Sequence, residues 1–236
     1  MFKQIVSAAL LCCCWFCCAL ARAEASLTAQ ETRWLRTAGP VLAFSQRLQL
    51  PIDIIVQPTA GPGDVPMAIG FDGKRCKLVL SLRGNPQAEA IFDGIAEVAR
   101  GAAVEAIAAH EIGHCWRYVH SAWHALPAGF VEAGEGRADS GAITLSAAAA
   151  KAARQSRREE GFADLVALAW TQRNHPQHYA RVVDWLASVR AKPVAQGAYD
   201  TLLWVELARE PSAFEPAGTP FDAAASLWKK GLLSGE

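Results

Sequence analysis

The chain has no run of clustered lysine and arginine, and its formal charges cancel, 23 basic side chains against 23 acidic ones. Neutralising a phosphate backbone takes a concentrated basic face, so nucleic acid is excluded as an expected partner. Past residue 20 there is also no apolar stretch approaching the roughly 20 residues that a membrane helix requires. No stable membrane span is therefore expected in the folded part. Internal repeats are absent, as is any linker that would divide two domains. Methionine is nearly missing, with Met67 the only one after the initiator. Cysteine is scarcer than its count of seven suggests, because Cys12, Cys13, Cys14, Cys17 and Cys18 crowd into the first twenty residues.

Those first residues read as a targeting segment. Met1-Phe2-Lys3 is a short basic start, Ile5 to Leu20 is apolar, and Ala21-Arg22-Ala23 has the small-x-small form of a cleavage site. The expectation is a signal peptide over 1–23, a mature chain starting at Glu24, and a periplasmic or secreted location. Removing 1–23 takes away Lys3 and Arg22 and no acidic residue, leaving 21 basic against 23 acidic side chains. About 213 of the 236 residues then remain, enough for one domain with a sizeable core. Cys76 and Cys115 are left as an even pair in an oxidising compartment, where a disulfide persists.

Along the mature chain, Thr28 to Leu50 has helical apolar spacing, with Gly39-Pro40 placed to kink or divide it. Strands are expected at Ile52 to Gln57, Met67 to Phe71 and Cys76 to Leu82, the last two joined by a hairpin at Asp72-Gly73. Cys76, Leu78, Leu80 and Leu82 alternate onto one face, which is expected to be in the core. A helix is expected from about Ala102 to Trp123, with Ala108, Ile112, Cys115 and Val119 as its buried stripe. Leu126 to Gly141 is glycine-rich and loop-like. Further helices are expected over Lys151–Arg173, Pro176–Val189 and Thr201–Ala208. From Glu210 the prolines predict an irregular tail with a final helical turn near Leu227.

The feature that carries chemistry is His110-Glu111-Ile112-Gly113-His114. Two histidines four residues apart share one helix face, so both imidazoles can grip a single Zn²⁺. The glutamate between them lies close enough to act on a zinc-bound water. A catalytic zinc needs a third protein ligand and an open position. His120 stands where metzincins place a third histidine, but Arg117 occupies the position where their chain needs glycine to turn back. At about 100° per residue His120 then points away from His114, and it is expected to be a surface or capping residue. No methionine follows the motif to form the downstream Met-turn of that class.

Two carboxylates remain. Glu160 and Asp164 lie at i and i+4 on the helix 151–173, whose apolar side holds Phe162, Leu165, Val166 and Ala169. Glu135, in Glu135-Gly136-Arg137-Ala138-Asp139, has the same Glu-x-x-Ala-Asp form and a shorter spacing. The glycines around it each cost a helix roughly 1 kcal/mol relative to alanine, which favours Glu160 as the rigidly held ligand and leaves Glu135 as the alternative.

HExxH followed on a later helix by Glu-x-x-Ala-Asp resembles the gluzincin metallopeptidases, especially membrane and periplasmic peptidases with an ExxAD helix. The resemblance covers only these two motifs and their order. It implies His110, His114 and Glu160 as zinc ligands, Glu111 as general base, and Asp164 as the group that orients a ligand histidine. The fold it implies is α+β and zincin-like over 24–236: a small, mostly antiparallel N-terminal sheet, an active-site helix and a helical C-terminal half. The function implied is an exported zinc-dependent endopeptidase with a protein or peptide substrate. The alternative is a catalytically silent zinc-binding envelope protein that binds a partner. Zincins commonly lay an extended substrate on an edge strand, and Cys76 to Leu82 is expected to serve. Separately, Cys76 lies on the inward strand face and Cys115 on the buried stripe of the helix, so a Cys76–Cys115 disulfide is expected, the alternatives being two buried free thiols or Cys115 as a soft metal ligand. Tyr199, His178 and Tyr179 are candidate oxyanion donors that the sequence does not separate.

Overall fold

The computed structural model describes residues 26–130, 147–192 and 197–234. The expected signal peptide and Glu135 both lie outside them. The fold is mixed α and β, mostly helical, with one small three-stranded sheet. None of the described helices is long and apolar enough to cross a membrane.

Thr28 starts α1 (Ala29–Thr37) with a capping box in which its hydroxyl accepts the Glu31 N–H and the Glu31 carboxylate accepts the Thr28 N–H. Pro40 has no N–H to continue the ladder, so α1 stops and α2 (Gly39–Arg47) begins afresh, as the Gly39-Pro40 pair predicts. β1 (Ile52–Val56), β2 (Met67–Phe71) and β3 (Cys76–Leu80) follow, in the order β1-β3-β2. β2 pairs antiparallel with β3, but β1 pairs parallel with it, so the expected mostly antiparallel sheet is a mixed one. The reason is the long connection after β1. It carries the chain across two strand positions to the far edge, and the hairpin then returns β3 into the gap.

β3 is therefore the central strand, paired on both sides, and it has no free edge for a substrate. That expectation is corrected: the edge facing the rest of the molecule is β2. The inward set is as expected, with Cys76, Leu78, Leu80 and Leu82 buried. They pack beneath α4 (Glu97–Val119), which a short helix α3 (Gln87–Ala90) precedes. α4 starts a turn and a half before Ala102. Its stripe of Ala108, Ile112 and Cys115 is fully buried, whereas Val119 at the last turn is 36% exposed.

α5 (Ala147–Asn174) lies along α4, and α6 (Tyr179–Arg190), α7 (Leu202–Leu207) and α8 (Pro220–Leu233) enclose it. α8 replaces the irregular tail. Pro220 sits in its first turn, where a missing N–H costs nothing, and the Thr219 hydroxyl caps the Asp222 N–H. Phe221, Ala224, Leu227 and Trp228 then give it a buried face. The buried side chains form one continuous core from Trp34 to Trp228. A disulfide joins Cys76 on β3 to Cys115 on α4, tying the sheet to the residue next to His114.

Candidate metal centre

α4 and α5 are nearly touching where the motif lies, and glycine is why. A Cβ on Gly113 would sit 3.3 Å from the Cα of Ala163 and from two carbons of Val166, so the bare residue lets the backbones close up. On α5, Gly161 performs the same service for Trp204, whose ring would lie 2.4 Å from an added Cβ. Trp204 is fully buried and also abuts Gly231 of α8, so it wedges three helices together. The Gly113 contact brings the carboxylates of α5 up to the imidazoles of α4, and the Gly161 contact seats α7 against α5 beside Glu160.

His110, His114 and Glu160 converge as a group able to hold a metal ion, their ligand atoms all within 4.8 Å of one another. The His110 and His114 Nε2 atoms are 3.1 Å apart. The Glu160 carboxylate presents Oε2 to His110 at 3.4 Å and Oε1 to His114 at 3.5 Å. Ligands about 2.0–2.1 Å from a tetrahedral zinc stand about 3.3 Å from each other, so the three separations suit such an ion. The donor chemistry also fits, two imidazoles and one carboxylate of the three-ligand kind that leaves a fourth position open.

Behind this group lies Asp164, completely buried. It accepts the His110 Nδ1–H at 2.9 Å, which turns Nε2 of that ring toward the centre. Arg190 of α6 donates to the same carboxylate through Nε at 2.8 Å and Nη2 at 2.6 Å, and its Nη2 also reaches Glu160 at 3.3 Å. The hydroxyl of Thr201, just before α7, is a further donor to Asp164. One carboxylate thus gathers groups from α4, α6 and the start of α7. Neither Arg190 nor Thr201 is part of any sequence motif, and only their side-chain chemistry marks them as possible partners.

The electrostatics follow from burial and charge. Burial by itself would lower the His110 pKa, but its hydrogen bonds and charge interactions with Asp164 and Glu160 outweigh this and raise it to about 10. Burial would raise Asp164, yet the charge of Arg190 and the bond from His110 hold it down at about 2. Glu160 is held well below the ordinary carboxylate range by the two histidines, again against burial. Glu111 behaves oppositely. Burial pushes its pKa up, and the nearby His110 and His114 charges and the Ile69 N–H only partly offset that.

The group opens onto a cleft of about 780 Å³ that His110, Glu111, His114 and Glu160 line together. β2 lines it through Met67, Ala68 and Ile69. The ladder bonds at Pro66–Ser81 and Asp72–Arg75 set the alternation of β2, which turns the N–H and C=O groups of Met67 and Ile69 away from β3. One end of the cleft carries a ring stack in which Tyr118 lies between Phe71 at 5.0 Å and Trp123 at 3.9 Å. Trp123 also meets His114 edge-on at 5.6 Å. Tyr118 and Trp123 are cleft residues that the motif reading missed, although Tyr118 at i+4 from His114 had the spacing to reveal it.

Of the three candidate donors, Tyr199 lines the cleft. Tyr179 is buried with its hydroxyl donated to the Ala208 carbonyl, and His178 is not among the lining residues. His120 ends α4 with Nδ1 on the Trp116 carbonyl and its ring stacked on Trp116, away from the metal group. Arg117, the residue in place of the metzincin glycine, is buried and paired with Glu159 at 2.7 Å, a second tie between α4 and α5 next to the candidate metal group. No protein-family model, curated protein or solved structure matches this chain.

Proposed function

We propose that the protein is an exported zinc-dependent endopeptidase of the gluzincin type, with His110, His114 and Glu160 as ligands and Glu111 as general base. The observation that carries this reading is the shared cleft: the three ligand groups converge within 4.8 Å, and Glu111 opens onto the same space. Zinc, when bound there, supplies a Lewis acid that polarises a substrate carbonyl and acidifies water.

The chain's own residues do the rest. Burial raises the Glu111 pKa above that of an ordinary carboxylate, which makes its ionised form the stronger proton acceptor. It takes the proton of the attacking water and returns it to the departing amine. Asp164 holds the His110 ring in the orientation that points Nε2 inward. The free edge of β2 offers the Met67 backbone groups and the Ile69 carbonyl to an extended peptide, in place of the central strand β3, while the Ile69 N–H faces Glu111. Tyr199 and Tyr118 are the hydroxyl donors available within the cleft.

The test is zinc content and peptide hydrolysis of the mature chain beside Glu160→Ala, Glu135→Ala and Glu111→Gln. About one zinc per chain is expected in the wild type and in Glu111→Gln, with hydrolysis only in the former. Glu160→Ala should lose the metal and Glu135→Ala keep it. Zinc without hydrolysis in the wild type would favour a silent binding protein, and no zinc would end the metallopeptidase reading.

A further inference from the structure

Resting on the reading of His110, His114 and Glu160 as a metal centre, we infer that Trp123 is a positioning residue for His114, held in place by the Arg117–Glu159 pair. The two histidines are held unequally. His110 has Asp164 at its Nδ1, whereas the His114 Nδ1 is buried and has no hydrogen-bond partner among the described residues. An imidazole without such a partner keeps its ring angle only through what packs against it. Trp123 supplies that contact, edge-on at 5.6 Å and 71°. Its own ring is stacked on Tyr118 at 3.9 Å, and Tyr118 on Phe71 of β2 at 5.0 Å, so the column behind it reaches the sheet.

The turn that carries Trp123 would not keep its shape unaided. Ser121 and His124, on either side of it, have φ of 53° and 60°, a left-handed backbone that non-glycine residues hold only where their surroundings impose it. The Arg117–Glu159 pair imposes it. Glu159 Oε1 accepts the His124 N–H at 2.8 Å, and Arg117 Nη2 donates to the Ala125 carbonyl at 3.1 Å. The same two side chains bond each other twice, Nη2 to Oε1 at 2.7 Å and Nε to Oε2 at 2.8 Å. The guanidinium is itself fixed over the rings of Trp228 and Phe162, at 4.6 and 5.1 Å from their centres. Glu159 directly precedes Glu160, and Arg117 follows His114 by three residues, so the clamp sets the turn against both helices that carry the metal group. Lysine at 117 lacks the planar fork that makes the paired bonds to Glu159.

The experiment measures zinc affinity of the mature chain by chelator competition. Beside it, nuclear magnetic resonance of the metal-free chain, labelled with carbon-13 histidine, reads the His114 ring. Trp123 is half-buried, so its variants should fold, with thermal unfolding as the check. Trp123→Ala should bind zinc about two- to tenfold more weakly, the worth of an edge-on ring contact, and its His114 ring signal should broaden or move. Trp123→Phe keeps a ring and should match the wild type in both. Arg117→Lys should weaken zinc binding in the wild-type background and add no further loss to Trp123→Ala. Unchanged affinity and ring signal in Trp123→Ala, or a Trp123→Phe as impaired as Trp123→Ala, would overturn the role of Trp123. An Arg117→Lys loss of equal size in both backgrounds would overturn the clamp. A wild type without zinc defeats the metal reading, and the ring signals of the metal-free chains then decide the inference by themselves.

Discussion

The carboxylate of Asp164 accepts the Nδ1–H of His110 at 2.9 Å, from a position completely closed to solvent. His110 therefore cannot rotate freely, and its other nitrogen is committed to the cleft. The same carboxylate is gripped by Arg190 at 2.6 and 2.8 Å, so the orienting group is itself oriented. Arg190 also touches Glu160 at 3.3 Å, which links Glu160 to the residue that orients His110.

Asp164→Asn should weaken zinc binding by roughly ten- to hundredfold, the usual effect of losing a carboxylate behind a ligand histidine. The substitution removes the charge that occupies Arg190, leaving the guanidinium to compete with the metal for Glu160. Competition against a chromogenic chelator measures this, with far-ultraviolet circular dichroism as the check on folding. Unchanged affinity would show that His110 is aimed by its helix alone.

Gly161→Ala tests the packing that delivers Glu160. In an unobstructed helix the change would stabilise by roughly 0.5–1 kcal/mol. Here the new methyl meets the buried ring of Trp204 at 2.4 Å, and overpacking of that kind costs typically about 1–3 kcal/mol. The packing effect should win, so thermal unfolding is expected to move to lower temperature and zinc affinity to fall with it. A rise in Tm would mean that Trp204 yields without cost.

The Cys76–Cys115 disulfide closes a segment of 39 residues, for which the loop-entropy relation gives up to about 4 kcal/mol. Urea unfolding with and without reductant should differ by an amount of that order. Because the bond joins the sheet to the residue after His114, zinc affinity is expected to drop on reduction as well. Identical unfolding midpoints under both conditions would contradict this.

The Glu31–Arg83 pair, which ties α1 to the segment after β3, predicts an acid limit on stability. Its Arg83 hydrogen bond, together with Thr28, holds the Glu31 pKa below its ordinary value against the effect of burial. A lowered folded-state pKa contributes stability that is present above the unfolded value and lost as pH falls through the folded one. Glu31→Gln should therefore be less stable than the wild type at neutral pH, and the gap should close below about pH 4. Denaturant titrations at neutral and acid pH measure it. A gap constant with pH would show that Glu31 contributes by packing alone.

Much of the local structure is legible in the sequence because short-range chemistry determines it. Thr28 and Glu31 mark a capping box, Gly39-Pro40 a break, and the alternation of Cys76, Leu78 and Leu80 a buried strand face. His110 and His114 share a helix face because their four-residue spacing alone requires it. Glu160 and Asp164 were readable for the same reason. The tail was misread because Pro220 counts as a breaker in a window of composition, yet it starts a helix once Thr219 caps it.

The tertiary structure alone decided which strand keeps a free edge, since a parallel pairing of β1 with β3 depends on how a long connection crosses the sheet. It alone brought Arg190 and Thr201 to Asp164 across 26 and 37 residues of chain. Nothing local encodes such meetings, because they follow from how closely helices can pack where Gly113 and Gly161 leave room. The sequence by itself thus determined which side chains could bind a metal and which face each would share. The fold decided that two helix faces meet closely enough for them to do so, because side-chain periodicity is a property of one helix and the gap between helices is not.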